Sequence, residues 1–414
     1  MKITLPYGKE KIELDIPEKN ILDIVQGESS LSSIDEEEVI SRALKSPVES
    51  GTLSEIARGK SSSVCILASD ITRPCPSYRF LPQLVDELTK GGISHSNIIV
   101  ILGLGIHRGH TENEKRKLVG DYIFENIKVI DSDPSKAKLI GKTSAGTPVE
   151  VFKQALESDL LIATGNIEYH YFAGYSGGAK AVMPGICSRS SIQANHGMML
   201  DERSASGRFE DNPVRQDIEE AGKMAGIDFI FNVILDDDKK IIDAVAGKNN
   251  EAWLEGIKKY DGIYKREVSH RADIVIASPG GDPKDINLYQ SQKALENIKN
   301  IARPGGVIIL AASCIEGFGE GVFEEWMDQT KDYGAISARL RSNFVLGGHK
   351  AVAVARVISS KKVYLHSEFD DVTTNKMGFE KIDDMQSYLN KRIEEDDKIK
   401  ITAIPNGRFV RVKN

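Results

Sequence analysis

The sequence has few cysteines, no long apolar run and no excess of basic residues, and each of these features excludes a class of protein. Its four cysteines are scattered and never form C-x-x-C, which excludes a disulfide framework and a thiolate zinc site. No apolar stretch approaches the roughly 18 residues needed to cross a bilayer. The N-terminal residues alternate charged and apolar side chains and lack the apolar centre of a signal peptide. We therefore expect a cytoplasmic protein with reduced thiols and no membrane association.

The charge balance is mildly acidic. The 414 residues include 54 Lys+Arg and 61 Asp+Glu, which gives a formal net charge of −7. Proteins that hold nucleic acid need a basic surface, so a nucleic-acid partner is not expected. A local basic pocket for a small anion remains compatible with this composition.

Short β-branched runs alternate with amphipathic stretches along most of the chain. This pattern is typical of buried parallel strands joined by crossover helices, and it predicts an α/β fold. An opening β-hairpin precedes the series. The predicted strands are 64–68, 98–102, 160–164, 229–235, 274–277, 307–311 and 399–404. We expect two domains with mostly parallel sheets flanked by helices, at 1–268 and 270–395, with a terminal strand at 396–414 that can pair with either sheet.

Chemically active residues follow four of the predicted strands. They include Asp70 and Arg73 after the first strand and His107 after the second. His170 and Lys180 follow the third strand, and the Gly- and Asp-rich segment 278–285 follows a later one. Because ligands of open α/β sheets bind beyond the carboxyl ends of the strands, we expect one active site in an interdomain cleft.

The glycine-rich segment before Lys180 is not a known nucleotide-binding motif. Ala179 and Ala181 flank the lysine, so the glycine and the hydroxyl of a Walker A loop are missing. No G-x-G-x-x-G follows the first predicted strand either. Gly177 and Gly178 nevertheless allow close approach to a ligand, as in loops that bind phosphate. The apolar residues after Lys180 favour a desolvated, nucleophilic amine.

Three histidines, His107, His170 and His196, stand out from the other five. As a set they are consistent with three metal ligands, or with a mixture of a ligand and acid/base groups, and spacing alone does not separate these alternatives. His110 is expected to be exposed to solvent.

Arg73 and Lys293 are candidate groups for binding a substrate carboxylate. Gln290 and Lys293 are spaced three residues apart and would share one face of a helix. Asp70 is close enough in sequence to orient a histidine or an arginine. Together these residues predict an enzyme that acts on a small anion, uses a phosphate-bearing cofactor and contains one lysine with a chemical role.

Several longer motifs resemble the nickel-dependent lactate racemase family, and the resemblance runs over nearly the whole chain. The motifs are Asp70-Ile-Thr-Arg-Pro74, Gly105-Ile-His-Arg108, the run from Glu168 to Lys180, Asn195-His196, and Gly280-Gly-Asp-Pro-Lys-Asp285 with Asn287-Leu-Tyr-Gln290 and Lys293. The run that carries His170 and Lys180 is the most specific of them.

The resemblance implies a racemase or epimerase of 2-hydroxy acids, an isomerase whose cofactor is a nickel pincer nucleotide. This is a pyridinium mononucleotide with a thioamide and a thiocarboxylate, made by separate cofactor-biosynthesis enzymes. By the same resemblance, Lys180 would link covalently to the cofactor and His196 would bind nickel. His107 and His170 would be the acid/base pair during hydride transfer, and Arg73 and Lys293 would hold the substrate carboxylate. The residues implied for the cofactor side of the site are Asp70, Thr72, Gly177, Gly178, Tyr289 and Gln290.

Two departures from the family pattern affect the expected substrate. Tyr169 occupies the place of the usual proline, and Ala179 stands where a basic or polar residue often precedes the lysine. The substrate is therefore lactate or a larger 2-hydroxy acid or sugar acid. The residues are also compatible with two other functions. One is a zinc hydrolase or lyase that uses the three histidines, and the other is a non-catalytic nucleotide-binding protein.

Overall fold

The computed structural model describes residues 1–25, 35–58, 63–73, 75–236, 238–407 and 410–412, so Pro74 of the first motif lies outside the described residues. The strands are β1 (Lys2–Tyr7), β2 (Glu10–Asp15), β3 (Ile21–Ile24), β4 (Val64–Ser69), β5 (Ile98–Gly103), β6 (Lys128–Asp131), β7 (Ala137–Lys142), β8 (Pro148–Phe152), β9 (Leu160–Asn166), β10 (Tyr169–His170), β11 (Gly174–Tyr175), β12 (Phe229–Leu235), β13 (Ile241–Gly247), β14 (Arg266–Val268), β15 (Ala272–Ala277), β16 (Ala302–Ala311), β17 (Lys362–His366), β18 (Glu380–Lys381), β19 (Ile401–Ile404) and β20 (Val410–Val412).

The α-helices lie between these strands. They are α1 (Glu36–Lys45), α2 (Leu53–Arg58), α3 (Ser77–Lys90), α4 (Glu112–Val119), α5 (Asp121–Asn126), α6 (Lys153–Leu156), α7 (Arg189–Gly197), α8 (Pro213–Ala225), α9 (Asn249–Tyr264), α10 (Leu288–Ile298), α11 (Gly321–Met327), α12 (Tyr333–Ser342), α13 (Gly348–Ile358), α14 (Asp371–Lys376) and α15 (Met385–Glu395). No helix in the described part of the chain is both long and apolar enough to cross a bilayer.

The chain forms two compact units, Ser30–Tyr264 and Met1–Ser29 together with Lys265–Asn414. The break near 264 falls where a boundary is expected, but the first 29 residues differ from the prediction. They belong with the C-terminal residues because Leu5 and Leu14 of the β1–β2 hairpin pack in one apolar core with Ile276 and Ile309. The strand β3 also pairs in parallel with β19, which places that late strand in the same unit.

The sheet of the unit Ser30–Tyr264 has the order β13-β12-β9-β4-β5-β6. All neighbouring pairs are parallel except β12–β13, which is antiparallel. The chain adds β5 and β6 on one side of β4, and later β9 and β12 on the other. The order therefore reverses between β4 and β9, and a ligand site is expected beyond the carboxyl ends of these two strands.

The strand β4 shows why the sequence adopts this sheet. Val64 to Ala68 are all buried, so the strand has no solvent face and reads as a continuous apolar run. Helix α3 covers one face with Phe80, Leu84 and Leu88, which are spaced four residues apart on one side of the helix.

The second unit contains a sheet of order β18-β17-β16-β15-β19-β3, in which every pair is parallel. Helix α10 follows β15 and begins at the N-cap Asn287, whose side chain accepts a hydrogen bond from the backbone N–H of Gln290. All four cysteines of the protein are buried and free, as expected.

Candidate active site

One group of predicted residues lies at the ends of β4 and β5. His107 Nδ1 lies 2.5 Å from Asp70 Oδ2, and Thr72 Oγ1 donates to the same carboxylate at 2.9 Å. Arg73 Nε lies 3.8 Å from Asp70 Oδ1, with its side chain half exposed. Burial by itself raises the pKa of Asp70, but the hydrogen bond with His107 and the positive charges of His107 and Arg73 hold that pKa below its usual value. The carboxylate therefore holds His107 with Nδ1–H as the donor.

His110 is a residue whose position the sequence analysis predicted wrongly. Its side chain is 1% exposed, not solvated. Nδ1 lies 2.7 Å from Asp131 Oδ1, and Nε2 accepts the backbone N–H of Ile71 at 3.1 Å. Since Ile71 lies between Asp70 and Thr72, His110 links the loop after β4 to Asp131 of β6, the strand at the edge of the sheet.

A short ribbon carries His170. The strand β10 pairs antiparallel with β11, so that Tyr169 faces Tyr175 and His170 faces Gly174. Both tyrosine hydroxyls donate to Asp261 on α9, at 2.8 and 2.9 Å. Tyr169, which departs from the family pattern, thus anchors the ribbon that presents His170.

His170 has a defined hydrogen-bonding state. Its Nδ1 accepts the backbone N–H of Ala173 at 3.2 Å, so Nε2 carries the proton of the neutral ring. Burial is the main cause that holds the pKa of His170 well below its usual value, and the nearby basic side chains of Lys180 and Arg73 act in the same direction. The ring is therefore neutral near pH 7.

Lys180 lies in a 3-10 turn, Gly178–Ala181, beside an aromatic ring. Its Nζ is 6.0 Å from the ring centroid of Phe172. Among the described residues, no carboxylate oxygen lies within 4.0 Å of this nitrogen. Burial and the charges of Arg73 and Arg215 hold the pKa of Lys180 well below its usual value, with Glu168 opposing them. The lowered pKa agrees in direction with the desolvated amine that the sequence predicts, and the nucleophilic role of Lys180 stays a prediction.

The same aromatic ring contacts two histidines. The centroid of Phe172 is 4.5 Å from that of His170 and 4.9 Å from that of His196. The structure therefore brings His170, Lys180 and His196 together around Phe172, a residue that sequence reasoning missed. Arg73, in the loop after β4, is one of the charges that lower the pKa of both His170 and Lys180.

Packing explains the glycines of the turn. Gly177 has φ +79°, and a Cβ there would lie 2.9 Å from the side chain of Asn232. The backbone N–H of Gly178 donates to Asn232 Oδ1 at 2.8 Å. This N–H has an internal acceptor, so it is not one of the donors that a phosphate would use. Ala179 is fully buried against Gly222 of α8, where a longer side chain does not fit.

Arg215 was also missed by sequence reasoning. It is fully buried, its guanidinium lies 3.6 Å from the ring centroid of Trp253, and it forms an ion pair with Glu219. It also donates to the carbonyls of Tyr175 and Gly177 at 3.1 and 3.4 Å. A buried positive charge therefore contacts the backbone that leads into the turn carrying Lys180. Nothing in the local sequence distinguishes Arg215, which follows Val214 and precedes Gln216 and Asp217 in α8.

The remaining predicted residues lie together in the other unit, on α10. Lys293 Nζ donates to Gln290 Oε1 at 2.7 Å, so the two residues share one helix face as predicted. The ammonium of Lys350 lies 3.4 Å from the ring centroid of Tyr289 and donates to the carbonyl of Tyr289 at 2.8 Å. Lys350 is a buried lysine that the sequence analysis did not single out.

Comparisons with known proteins identify the family. Residues 7–207 match the lactate racemase N-terminal domain, and residues 268–412 match the lactate racemase C-terminal domain. The chain is 35% identical to the lactate racemase of Thermoanaerobacterium thermosaccharolyticum and 32% identical to that of Lactiplantibacillus plantarum, with 99% of each chain covered in both cases. The structure of the lactate racemase apoprotein from T. thermosaccharolyticum matches with a TM-score of 0.89 at 34% identity, over 100% of both chains. The chain therefore belongs to the lactate racemase family and is a racemase, an isomerase.

Proposed function

We propose that the enzyme inverts carbon 2 of a 2-hydroxy acid, lactate or a related 2-hydroxycarboxylate, with a nickel pincer nucleotide attached to Lys180. The observation that carries the proposal is the arrangement around Phe172, whose ring centroid lies 6.0 Å from Lys180 Nζ and 4.9 Å from the centroid of His196. Burial also lowers the pKa of Lys180. A lowered pKa favours acylation, because it raises the fraction of the amine whose lone pair is not blocked by a proton.

The residues present fit such a cofactor. Lys180 provides the nucleophile for a thioamide link. His196 Nδ1 lies 2.9 Å from Asn195 Oδ1, an acceptor, which leaves the lone pair of the neutral ring on Nε2 for a metal. The described residues include no group of three or more His, Cys, Asp or Glu arranged to hold a metal, so nothing in them supports the zinc enzyme with three histidine ligands.

The cofactor, when bound, supplies a reversible acceptor for the hydride of carbon 2. His107 then takes the hydroxyl proton at Nε2, since its Nδ1–H is committed to Asp70. The buried carboxylate stabilises the imidazolium that forms. On the other side, His170 presents Nε2–H to the substrate oxygen. The two histidines are thus held in opposite tautomers, one as a base and one as a donor.

Positively charged side chains would orient the substrate by binding its carboxylate. Arg73 has an exposed guanidinium whose contact with Asp70 is long, at 3.8 Å, so its forked donors can take a carboxylate. Lys293 of the other unit is the second predicted carboxylate group, and Gln290 holds its ammonium in place. Tyr289 and Gln290 remain the predicted contacts of the cofactor.

Deuterium at carbon 2 tests the proposed route. Enzyme co-expressed with the cofactor-making enzymes is given L-lactate deuterated at carbon 2, in ordinary water. We expect loss of optical rotation with the deuterium kept, since a hydride carries it away and returns it. Washout of the label during inversion would contradict hydride transfer. A loaded protein that inverts no member of a panel of lactate, malate, 2-hydroxyglutarate and sugar acids would instead support a binding protein.

A further inference from the structure

A chain of buried hydrogen bonds ends at His196. Asn195 Nδ2 donates to the carbonyl of Val214 at 3.1 Å and to Asp217 Oδ2 at 2.8 Å. The other oxygen of Asp217 accepts from Thr143 Oγ1 at 2.5 Å. Asn195 is fully buried, and Asp217 and Thr143 are nearly so. The chain links α7, which carries His196, to α8 and to the segment after β7.

This arrangement fixes the direction of the Asn195 amide. Both groups facing Nδ2, the Val214 carbonyl and the Asp217 carboxylate, are acceptors, so the amide nitrogen must point to them. Oδ1 is then the atom that faces His196 Nδ1, at 2.9 Å. An oxygen at this distance requires a proton on the ring nitrogen. The neutral ring of His196 is therefore protonated at Nδ1 and carries its lone pair at Nε2.

We propose that Asn195 and Asp217 are positioning residues, which set the tautomer of His196 so that Nε2 is the nitrogen presented to the metal. The inference rests on the proposed function, because it needs His196 as a nickel ligand. Asp217 acts at one remove: its carboxylate holds the amide donors, and the amide oxygen in turn holds the ring.

The physical reason for such a device is that free histidine favours the opposite tautomer, with the proton on Nε2. A ring in that state has to move its proton before Nε2 binds a metal. Hydrogen-bond partners behind a metal-bound histidine also fix the ring plane, and removing them typically costs about 10–100-fold in metal affinity or activity.

The first experiment reads the tautomer without any cofactor. Protein labelled with ¹⁵N-histidine is compared by NMR at about pH 8, above the ordinary histidine pKa. His196→Gln identifies the signal among the eight histidines. In the wild type we expect a protonated Nδ1 and an unprotonated Nε2. Asn195→Leu should shift the ring toward the Nε2–H form, and Asp217→Asn should do so partially. A wild-type Nε2–H ring, or an unchanged ring in Asn195→Leu, would overturn the inference.

The second experiment measures nickel retention on loaded protein. Asn195→Leu and Asp217→Asn should still gain the nucleotide at Lys180, but lose nickel to a chelator about 10–100-fold faster than wild type. Thr89→Val, which removes a threonine hydrogen bond to the carbonyl of Val85 within α3, is the control and should lose nickel at a rate near that of wild type. Unchanged retention in Asn195→Leu would overturn the inference. Absence of any adduct on wild-type protein would contradict the proposed function alone, because the tautomer readout does not depend on the cofactor.

Discussion

The two sides of the site control protonation in opposite ways. The carboxylate side consists of Asp70, Thr72, Arg73 and His107. The aromatic side consists of His170, Phe172, Lys180 and His196. On the carboxylate side, the buried carboxylate of Asp70 holds His107 by a hydrogen bond, and that bond and the neighbouring cations lower the pKa of Asp70. On the aromatic side, burial and the charges of Arg73 and Arg215 suppress protonation of His170 and Lys180. The site therefore combines His107, which can accept a proton, with His170 and Lys180, whose pKa values are lowered.

The largest effect is expected from breaking the carboxylate side. His107→Gln removes the base, and kcat should fall by about 10²–10⁴-fold, the usual contribution of a positioned acid/base group. Asp70→Asn should also lower kcat, since the charge that stabilises the imidazolium is lost. His107→Gln should load cofactor normally by intact mass, and loss of loading in this variant would mean that His107 serves binding instead of proton transfer.

The aromatic side is tested next by removing its fixed charge. Arg215→Met combined with Glu219→Gln deletes the buried ion pair as a unit and leaves the fold without an unpaired carboxylate. The pKa of Lys180 should rise, so that cofactor loading requires a higher pH, with about a tenfold loss at neutral pH for each unit of the rise. Loading is measured against pH by intact mass. An unchanged pH profile would show that Arg215 does not set the state of Lys180.

Acid stability sharpens the comparison further. Because the pKa of His170 is lowered in the folded protein, the unfolded chain binds more protons as the pH falls below about 6.5, and the free energy of unfolding decreases. His170→Asn should therefore lose less stability than wild type between pH 8 and pH 5 in urea unfolding. An equal loss in both proteins would show that His170 is not held neutral by the fold.

The smallest effect is expected at the ribbon that carries His170. Tyr169→Phe removes one hydrogen bond to Asp261, while Tyr175 keeps its own. We expect a loss of about 1 kcal/mol in the free energy of unfolding and a modest fall in kcat. Tyr122→Phe, an exposed tyrosine elsewhere in the same unit, is the control and should leave both quantities unchanged.

The predicted strands were recognisable because they are buried apolar runs, and Phe229–Leu235 was predicted with its observed bounds. Other strands, such as β6, β7, β8 and β17, were not predicted. The antiparallel strand β13 was not predicted, because a short apolar run such as Ile241–Gly247 does not show by itself whether it forms a strand or part of a helix. The position of the first 29 residues was missed for another reason: hairpin packing depends on tertiary contacts that local patterns do not contain.

The candidate site shows the same division. Strand ends located His107, His170 and Lys180, because parallel strands deliver their ends to one edge of a sheet. Sequence could not reveal the burial of Arg215 or His110, since both depend on contacts with residues far along the chain. The role of Phe172 was missed although His170 and Lys180 are close to it in sequence, because an aromatic residue in a loop gives no sign of what its ring contacts. His110 reaches Ile71 and Asp131, and neither partner is evident from its own sequence position.

The central claim is that Lys180 anchors the cofactor, and intact-mass measurement with peptide mapping tests it most directly. Wild type, Lys180→Arg and Lys153→Arg are each co-expressed with the cofactor-making enzymes, Lys153 being an exposed lysine of α6. We predict that wild type and Lys153→Arg gain the mass of the nucleotide on the peptide containing residue 180, and that Lys180→Arg gains none. An adduct on Lys180→Arg, or an unchanged mass for the wild type, would contradict the claim.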